Sequence, residues 1–579
     1  MRFLLLHPED NALSSAWKAH AWDRVIDLGI SGLAAYSEWE GSLGCKIEPY
    51  PSLNGADFLQ LRKMFRFGCG RLVDRGGLDW WDLLSLRWLD QFEQVVLLSR
   101  LLATLSEEDL IFVSSNGAHA RLLQALAPGR VHAIDAGQRS RPWHRLSKLS
   151  RLRFGQTLEI IGDKYDGSYR LRRFFANRRT KSSDRPVVLL PSAYGNASRT
   201  ELAYAGLLPE VDFLLVTTRR SGDVAAVPDN VGCARLAAYA VPGPEETELR
   251  SLLRSWEELR MDLNGCAELA VLRDTGCFDS FPAYLRQGLA IRDCWINLFD
   301  TEPVAAVFSA DEKNPYTRIP VLLAQQHGLP AIACHHGSLD GRYLFSDIAA
   351  DSFLAKSRME SEYLVDVCGA MEDRVLVAPT PRDVIPTGSG RKNRIVFFSE
   401  PYEASNCRAR HAYREILPGL ARIAATHSCE LVVKLHPFES LRERKRMVKD
   451  TVPGPERDVI QFVTGALTPG LMQAMWFSVT VSSSAAVDCA MQEIPSFLCT
   501  WLDRYGYGYA EQYAKFGFAR ALSSPEQIAE IPDLLRTMLS AHRRDVCDTT
   551  TSDLLRSLLF RDPDAGEIPK SITAEKLWA

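Results

Sequence analysis

None of the thirteen cysteines in this 579-residue sequence forms a CxxC pair. Scattered single thiols exclude a disulfide framework and a zinc site, and fit reduced cysteines in a cytosolic protein. No apolar run approaches the roughly 20 residues that span a bilayer. The opening MRFLLLHPED has no basic stretch ahead of its apolar one and soon turns acidic, which argues against a signal peptide. There is no Asp-x-Asp at a strand end and no His/Cys cluster at ligand spacing, so neither metal nor cofactor is expected. A dominant charge sign is missing too. The net charge of −4 argues against a nucleic-acid binder held by overall electrostatics.

The composition, 46% hydrophobic and 24% charged, suits large buried cores and a soluble globular chain. The length allows roughly three or four domains. Residues 1–180 read as an N-terminal α/β accessory domain. It has a first strand at 3–6 and a mostly helical stretch over 12–36. Buried helices are expected around Trp80, Trp81 and Trp88, and a βαβ unit over 110–134 turns at Ser115, Asn116 and Gly117. Within it, residues 139–181 hold thirteen Lys/Arg against three acids, with Leu146, Leu149 and Leu152 between the cations. Such a segment suits a solvated linker, or peripheral contact with an anionic membrane or acceptor. A second α/β unit covers 186–385, with a capping box at Ser198 to Glu201 opening a helix. Prolines and glycines near 381–392 mark a boundary. A third α/β unit covers 392–540, and 541–579 hold one helix and a polar tail.

Strands alternating with helices predict parallel sheets, whose ligands bind at the carboxyl ends of the strands. The polar residues at those ends are therefore the candidates. One apolar run ends in Asp311 and Glu312, the next in His335 and His336 before Gly337. In the third unit the runs end in Ser399, in Lys434, His436 and Pro437, and in Ser482, Ser483 and Ser484 before a helix. A carboxylate at Asp311 or Glu312 suits a general base. Adjacent side chains on an extended segment point opposite ways, so one of the two faces a cleft, and of the histidine pair His336 is preferred. Lys434 and His436 lie on one side of the chain and suit a phosphate, as do hydroxyls and N–H groups at a helix start. Glu493, one helix on, could accept ribose hydroxyls; Asp488 reads more as a solvated helix-face acid. Turn, capping and solvated-face roles remain open for each of these residues.

Over 186–540 this layout resembles glycosyltransferases of the GT-B architecture, which hold a nucleotide-sugar mainly on the second of two Rossmann-like domains. Asp311-Glu312, His436-Pro437 and the serine run are similar to the acidic, HP and serine-pair motifs of bacterial sialyl-, polysialyl- and Kdo transferases, which use CMP-sugars. Lys313 follows the acidic pair where those families have glycine. His336-Gly337 resembles the HG motif of capsule Kdo transferases and of teichoic-acid glycerophosphotransferases. The resemblance implies a GT-B-like pair of domains and metal-independent sugar transfer, with Kdo or sialic acid the first choice. The acceptor implied is a surface polysaccharide or glycolipid at the inner face of the cytoplasmic membrane. Competing readings are a UDP-sugar transferase, a CDP-glycerol glycerophosphotransferase, a UDP-sugar 2-epimerase and a non-catalytic carbohydrate-binding or scaffold protein.

Overall fold

The computed structural model describes residues 1–6, 15–18, 20–28, 36–49, 53–114, 118–134, 185–218, 226–241, 245–339, 343–381, 392–400, 407–436, 439–452, 454–465, 467–503, 508–538 and 548–560. The basic segment 139–181, the Asn-Gly turn at 115–117, Pro437 and most of the boundary segment 381–392 lie outside them.

Three parallel sheets follow one another along the chain. The N-terminal sheet contains β1 (Arg2–Leu6), β2 (Arg24–Asp27), β3 (Ile47–Pro49), β4 (Leu110–Ser114) and β5 (Val131–Ile134), in the order β3-β2-β1-β4-β5. The middle sheet contains β6 (Val187–Ser192), β7 (Asp212–Thr217), β8 (Val231–Arg235), β9 (Val304–Ser309), β10 (Ala331–Cys334), β11 (Ser352–Ala355) and β12 (Val375–Val377). Its order is β12-β11-β10-β9-β6-β7-β8. The C-terminal sheet contains β13 (Arg394–Phe398), β14 (Glu430–Lys434), β15 (Ile460–Val463), β16 (Met475–Thr480), β17 (Ser496–Cys499) and β18 (Arg520–Leu522), ordered β15-β14-β13-β16-β17-β18. In each sheet the chain winds outward from a central first strand and then crosses to that strand's other side. The order reverses between β1 and β4, between β6 and β9, and between β13 and β16, the points where doubly wound sheets open a crevice. The fold is mixed α/β: two Rossmann-like sheets in succession, preceded by an additional α/β sheet of the same winding.

Strands covered on both faces carry unbroken apolar runs, and β6 is buried along its whole length. One face of the middle sheet, with Val188, Leu190, Phe308 and Ile332, packs against helix Gly195–Ala205 and helix Asp548–Leu559. That last helix inserts Leu554, Leu555, Leu558 and Leu559, returning the chain from the C-terminal unit to the middle one. The opposite face shares one continuous core with the N-terminal helices. There Trp80 and Trp81 from helix Trp80–Ser85 meet Trp256 and Phe281, whose rings stack 3.8 Å apart. A Cβ at position 288 would lie 2.2 Å from the Trp80 ring, so the close approach needs Gly288. Arg292, buried in the same interface, binds Asp74 at 2.7 Å and Glu248 at 2.8 Å. The C-terminal sheet has cores of its own, one on each face.

Two local expectations change. The stretch 12–36 is not mostly helical, because Arg24–Asp27 forms β2 beside β1. Four residues of strand show no period that separates them from a helical turn, and only the pairing decides. The helix expected to start at a Ser198 cap starts earlier, at Gly195. Ser198 and Glu201 are therefore inside it and fully buried, with Ser198 Oγ donating to Ser192 Oγ at 2.8 Å. Among the described residues no helix is long and apolar enough to cross a membrane.

Candidate active site

The carboxyl ends of the middle and C-terminal sheets face each other. Ser338, after β10, donates from Oγ to the carbonyl of Ser482, after β16, at 2.8 Å. The His436 imidazole of the C-terminal unit senses the His336 imidazole of the middle unit.

On the middle side, Asp311 and Glu312 part ways as alternation requires. Glu312 is 1% exposed and accepts from the backbone N–H of Ala349 and Ala350 at 3.0 and 2.9 Å. Lys313 Nζ pairs with it at 2.6 Å. Burial works against its charge, but Lys313 and Arg318 together hold it below the ordinary carboxylate range. It ties down the loop before β11. Asp311 turns the other way, toward Tyr194 and His336. Tyr194 Oη donates to Asp311 Oδ2, and the Lys313 N–H donates to Oδ1 at 3.2 Å. Burial raises the Asp311 carboxyl, with His336 and Tyr194 opposing the rise.

His336 packs edge-on against the Tyr194 ring at 4.9 Å. Its Nδ1 lies 3.2 Å from the Ala310 carbonyl, which can only accept, so Nδ1 carries the proton and Nε2 keeps a lone pair. Burial lowers its pKa, partly offset by Asp311. His335 instead bridges back to Asp311 through the main chain and rests against Phe345. Behind this group the buried Glu201 accepts from the Ala310 N–H at 3.0 Å, and its other oxygen has no hydrogen-bond partner. Burial, reinforced by Asp311, pushes the Glu201 carboxyl well up.

On the C-terminal side, Lys434 points back beneath its own loop. Its Nζ donates to the carbonyls of Leu435 at 3.1 Å and Gly465 at 2.7 Å, which leaves one ammonium proton over. Burial and the nearby Arg199 lower its pKa. The His436 N–H donates to Glu439 Oε2 at 2.8 Å. Burial, then Lys434, His336 and Arg199, push the His436 imidazole down to about 4, so it is neutral at pH 7. Glu439 also accepts from Arg444 and from Ser399 Oγ, both at 2.7 Å. Ser399 gives its proton there, so Tyr413 Oη donates to Ser399; this serine belongs to the support of the His436 loop.

The three serines have three different fates. Ser482 donates its hydroxyl to Glu400 Oε2 at 3.1 Å, and its N–H to Glu400 Oε1 at 2.8 Å. Glu400 Oε1 also accepts from Thr480 Oγ1 at 2.8 Å and the Val481 N–H at 3.2 Å. Ser483 Oγ accepts from the Ala485 N–H at 3.3 Å and so caps the short helix Ala485–Met491. Ser484, the half-buried residue at the cap position, makes no side-chain cap bond. Glu493 is exposed with φ +55°, past the far end of that helix and ahead of β17, away from the strand ends.

Sequence reading passed over Tyr194, Arg199, Glu201, Glu400 and Glu439. Glu400 stood at a strand end beside Ser399, where the same criterion could have found it. Glu201 was assigned to a cap. Arg199 lies on the exposed side of the helix after β6, and only the facing of the two units makes it a neighbour of Lys434 and His436. Among the described residues no group of three or more His, Cys, Asp or Glu could hold a metal ion.

No family model and no curated protein matches the chain. Among solved structures it is similar to UDP-GlcNAc 2-epimerase from Neisseria meningitidis bound to UDP-GlcNAc, at 12% identity and a TM-score of 0.40. That match covers 65% of this chain and 100% of the other. A glycosyltransferase from Rickettsia africae matches at 9% identity and TM-score 0.37, over 65% of this chain and 94% of its own. Phytolacca americana UGT2, complexed with UDP-2-fluoroglucose and pterostilbene, matches at 10% identity and TM-score 0.36, over 66% and 94%. Likenesses this loose leave the chemistry to the residues of the two strand-end sets.

Proposed function

We propose that this chain is a metal-independent glycosyltransferase that moves a sugar from a nucleotide donor to a glycan or glycolipid acceptor. The carrying observation is the facing of two unlike sets: Asp311 and a neutral His336 on the middle unit, Lys434 and a neutral His436 on the C-terminal unit. His336 Nε2 takes the proton of the acceptor hydroxyl, and Asp311 stabilises the imidazolium that results. The acceptor oxygen bonds to the anomeric carbon as the bond from that carbon to the phosphate oxygen breaks. The electron pair leaves with the phosphate, where Lys434 supplies positive charge and His436 and Ser484 offer hydrogen bonds. A fixed ammonium can do what a divalent ion does elsewhere. Within this reading the donor is a CMP-sugar, with Kdo or sialic acid the sugar and a surface polysaccharide the product. The support is the imidazole after β14 and the Ser484 hydroxyl after β16, which makes no cap bond, together with the resemblance noted above.

A thermal-shift panel of CMP, CDP, UMP, UDP and GDP on wild type and His436→Ala tests it, because a ligand that binds only the folded state raises the midpoint by mass action. Stabilisation selective for CMP and weakened in the variant is expected. Preference for UDP would replace the donor by a UDP-sugar, and preference for CDP would favour glycerophosphate transfer. Turnover of a nucleotide-sugar without any acceptor would mark an epimerase. No response from folded protein would leave a non-catalytic binding protein.

A further inference from the structure

We infer that Lys356 and Glu360 are positioning residues, which fix the loop carrying His336 in register with the C-terminal unit through Tyr509 of that unit. This deepens the transferase reading, and its consequence for turnover rests on that reading.

Three consecutive residues of the loop are fastened, each to a different partner. The His336 N–H donates to the Ala310 carbonyl at 3.1 Å, and Nδ1 donates to the same oxygen at 3.2 Å. The Gly337 carbonyl accepts from Lys356 Nζ at 2.5 Å. Ser338 Oγ donates to the carbonyl of Ser482 in the C-terminal unit. Gly337 has no side chain to limit its own backbone, so the direction of its carbonyl depends on that ammonium.

Lys356 is held in turn. It stands just past the carboxyl end of β11, 7% exposed, and its Nζ lies 3.2 Å from Glu360 Oε1. Glu360, fully buried in helix Arg358–Glu362, also accepts from the Lys356 N–H, through Oε2 at 2.5 Å. Its Oε1 accepts a second bond, from Tyr509 Oη at 3.2 Å. Tyr509 opens helix Tyr509–Lys515, which joins β17 to β18 in the C-terminal sheet. The Tyr509 ring meets the Tyr363 ring edge-on at 4.9 Å, and Tyr509, Ala510 and Tyr513 share a core with Met359, Tyr363 and Leu364. That packing fixes where the Tyr509 hydroxyl points.

A buried ion pair adds little net stability, because desolvating both charges offsets their attraction. What this pair adds is connection. Its cation ends on the carbonyl one residue past His336, and its anion ends on a phenol of the other unit. The loop thus meets the C-terminal unit twice, directly through Ser338 and indirectly through Lys356, Glu360 and Tyr509. Buried networks whose members are all bonded rigidify what they touch. Loss of the Tyr509 bond loosens Lys356, then the Gly337 carbonyl, and so the aim of His336 Nε2.

Histidine ring-nitrogen NMR on the full-length protein reads the His336 tautomer without any substrate, its signals being those lost in His336→Gln. Wild type should carry the proton on Nδ1. Tyr509→Phe removes one hydroxyl and no charge, and Lys356→Met removes the ammonium. Both should move the His336 signals toward a mixture of tautomers, Lys356→Met further. Lys515→Ala breaks an exposed ion pair to Glu362 between the same two helices and should leave them unmoved. Circular dichroism checks each fold, and should Lys356→Met fail to fold, Tyr509→Phe decides alone. Signals unmoved in either folded variant, or moved equally by Lys515→Ala, overturn the linkage. In turnover, Lys356→Met should lower kcat about 10²-fold, the scale of a misplaced reacting group, with the donor KM little changed. Spectra that move as expected while His336→Gln keeps full turnover would leave the linkage standing and the transferase reading fallen. Sugar transfer lost in His336→Gln but intact in Tyr509→Phe and Lys356→Met, with unmoved spectra, would do the reverse.

Discussion

β9 and β16 hold the same place in their sheets, each beside the central first strand, and their ends are chemically opposite. After β9 the chain presents two carboxylates, one spent on the Ala349 and Ala350 amides and the other left beside a neutral imidazole. After β16 it presents hydroxyls and amides that an internal carboxylate, Glu400, has already saturated. Position in a doubly wound sheet therefore says where a ligand goes, while the hydrogen-bond partners say which groups are left to meet it. The units differ in packing as well. The middle sheet shares its core with the N-terminal helices through Trp80, Trp81 and Trp256, whereas the C-terminal sheet has cores of its own on both faces and joins that shared core only through residues such as Val487, Leu498 and Tyr513.

The sharpest test of the chemical contrast sets Asp311 and His336 against Glu312. His336→Gln or Asp311→Asn should lower kcat about 10²- to 10⁴-fold, the range for a lost general base, with little change in melting temperature. Glu312→Gln should do the reverse, lowering the melting temperature while kcat changes less. Equal kcat losses from all three would erase the distinction between a spent and an available acid.

The packing contrast breaks at Arg292. Arg292→Met leaves Asp74 and Glu248 buried without their cation, which should cost about 3–5 kcal/mol. In urea the loss should appear in the tryptophan signal of the shared core. A C-terminal transition that shifts equally would mean that the two units unfold as one.

The smallest effect is a pH dependence on the C-terminal side. The imidazole of His436 titrates near 4 in the folded protein against 6.5 when unperturbed. Between those values the unfolded chain binds the proton and the folded one does not. Its contribution is thus fully present above pH 6.5 and drains away as the pH falls toward 4, by at most roughly 3 kcal/mol. His436→Gln should flatten the fall in melting temperature over that window. His335 and His336 are also depressed, so part of the slope should remain. An unchanged slope would remove His436 from the set of buried imidazoles.

Much of the fold was legible because buried parallel strands must be apolar on both faces. The runs ending at Phe308, Cys334, Phe398, Val433 and Val481 announced themselves without reference to any partner. β2 did not, since four residues carry no usable period. The site was legible as a set of positions. Alternation alone said that Asp311 and Glu312 part, leaving open which of them faces the cleft, and the strand-end criterion marked Lys434, His436 and the serines. Its division of labour was not legible. Ser399 and Ser482 look as free in sequence as Ser484 does, and Glu201 looks like a cap.

The sequence by itself determined three α/β units with parallel strands and the strand ends at which polar chemistry gathers. Both follow from local patterns of burial that each segment carries in its own residues. Tertiary structure alone decided that Glu312, Glu400 and Glu439 are spent on amides and cations of their own unit. It alone brought Arg199 within electrostatic reach of Lys434, 235 positions along the chain. Partner choice and electrostatic environment depend on groups remote in sequence, and those meet only when the sheets are folded and face each other.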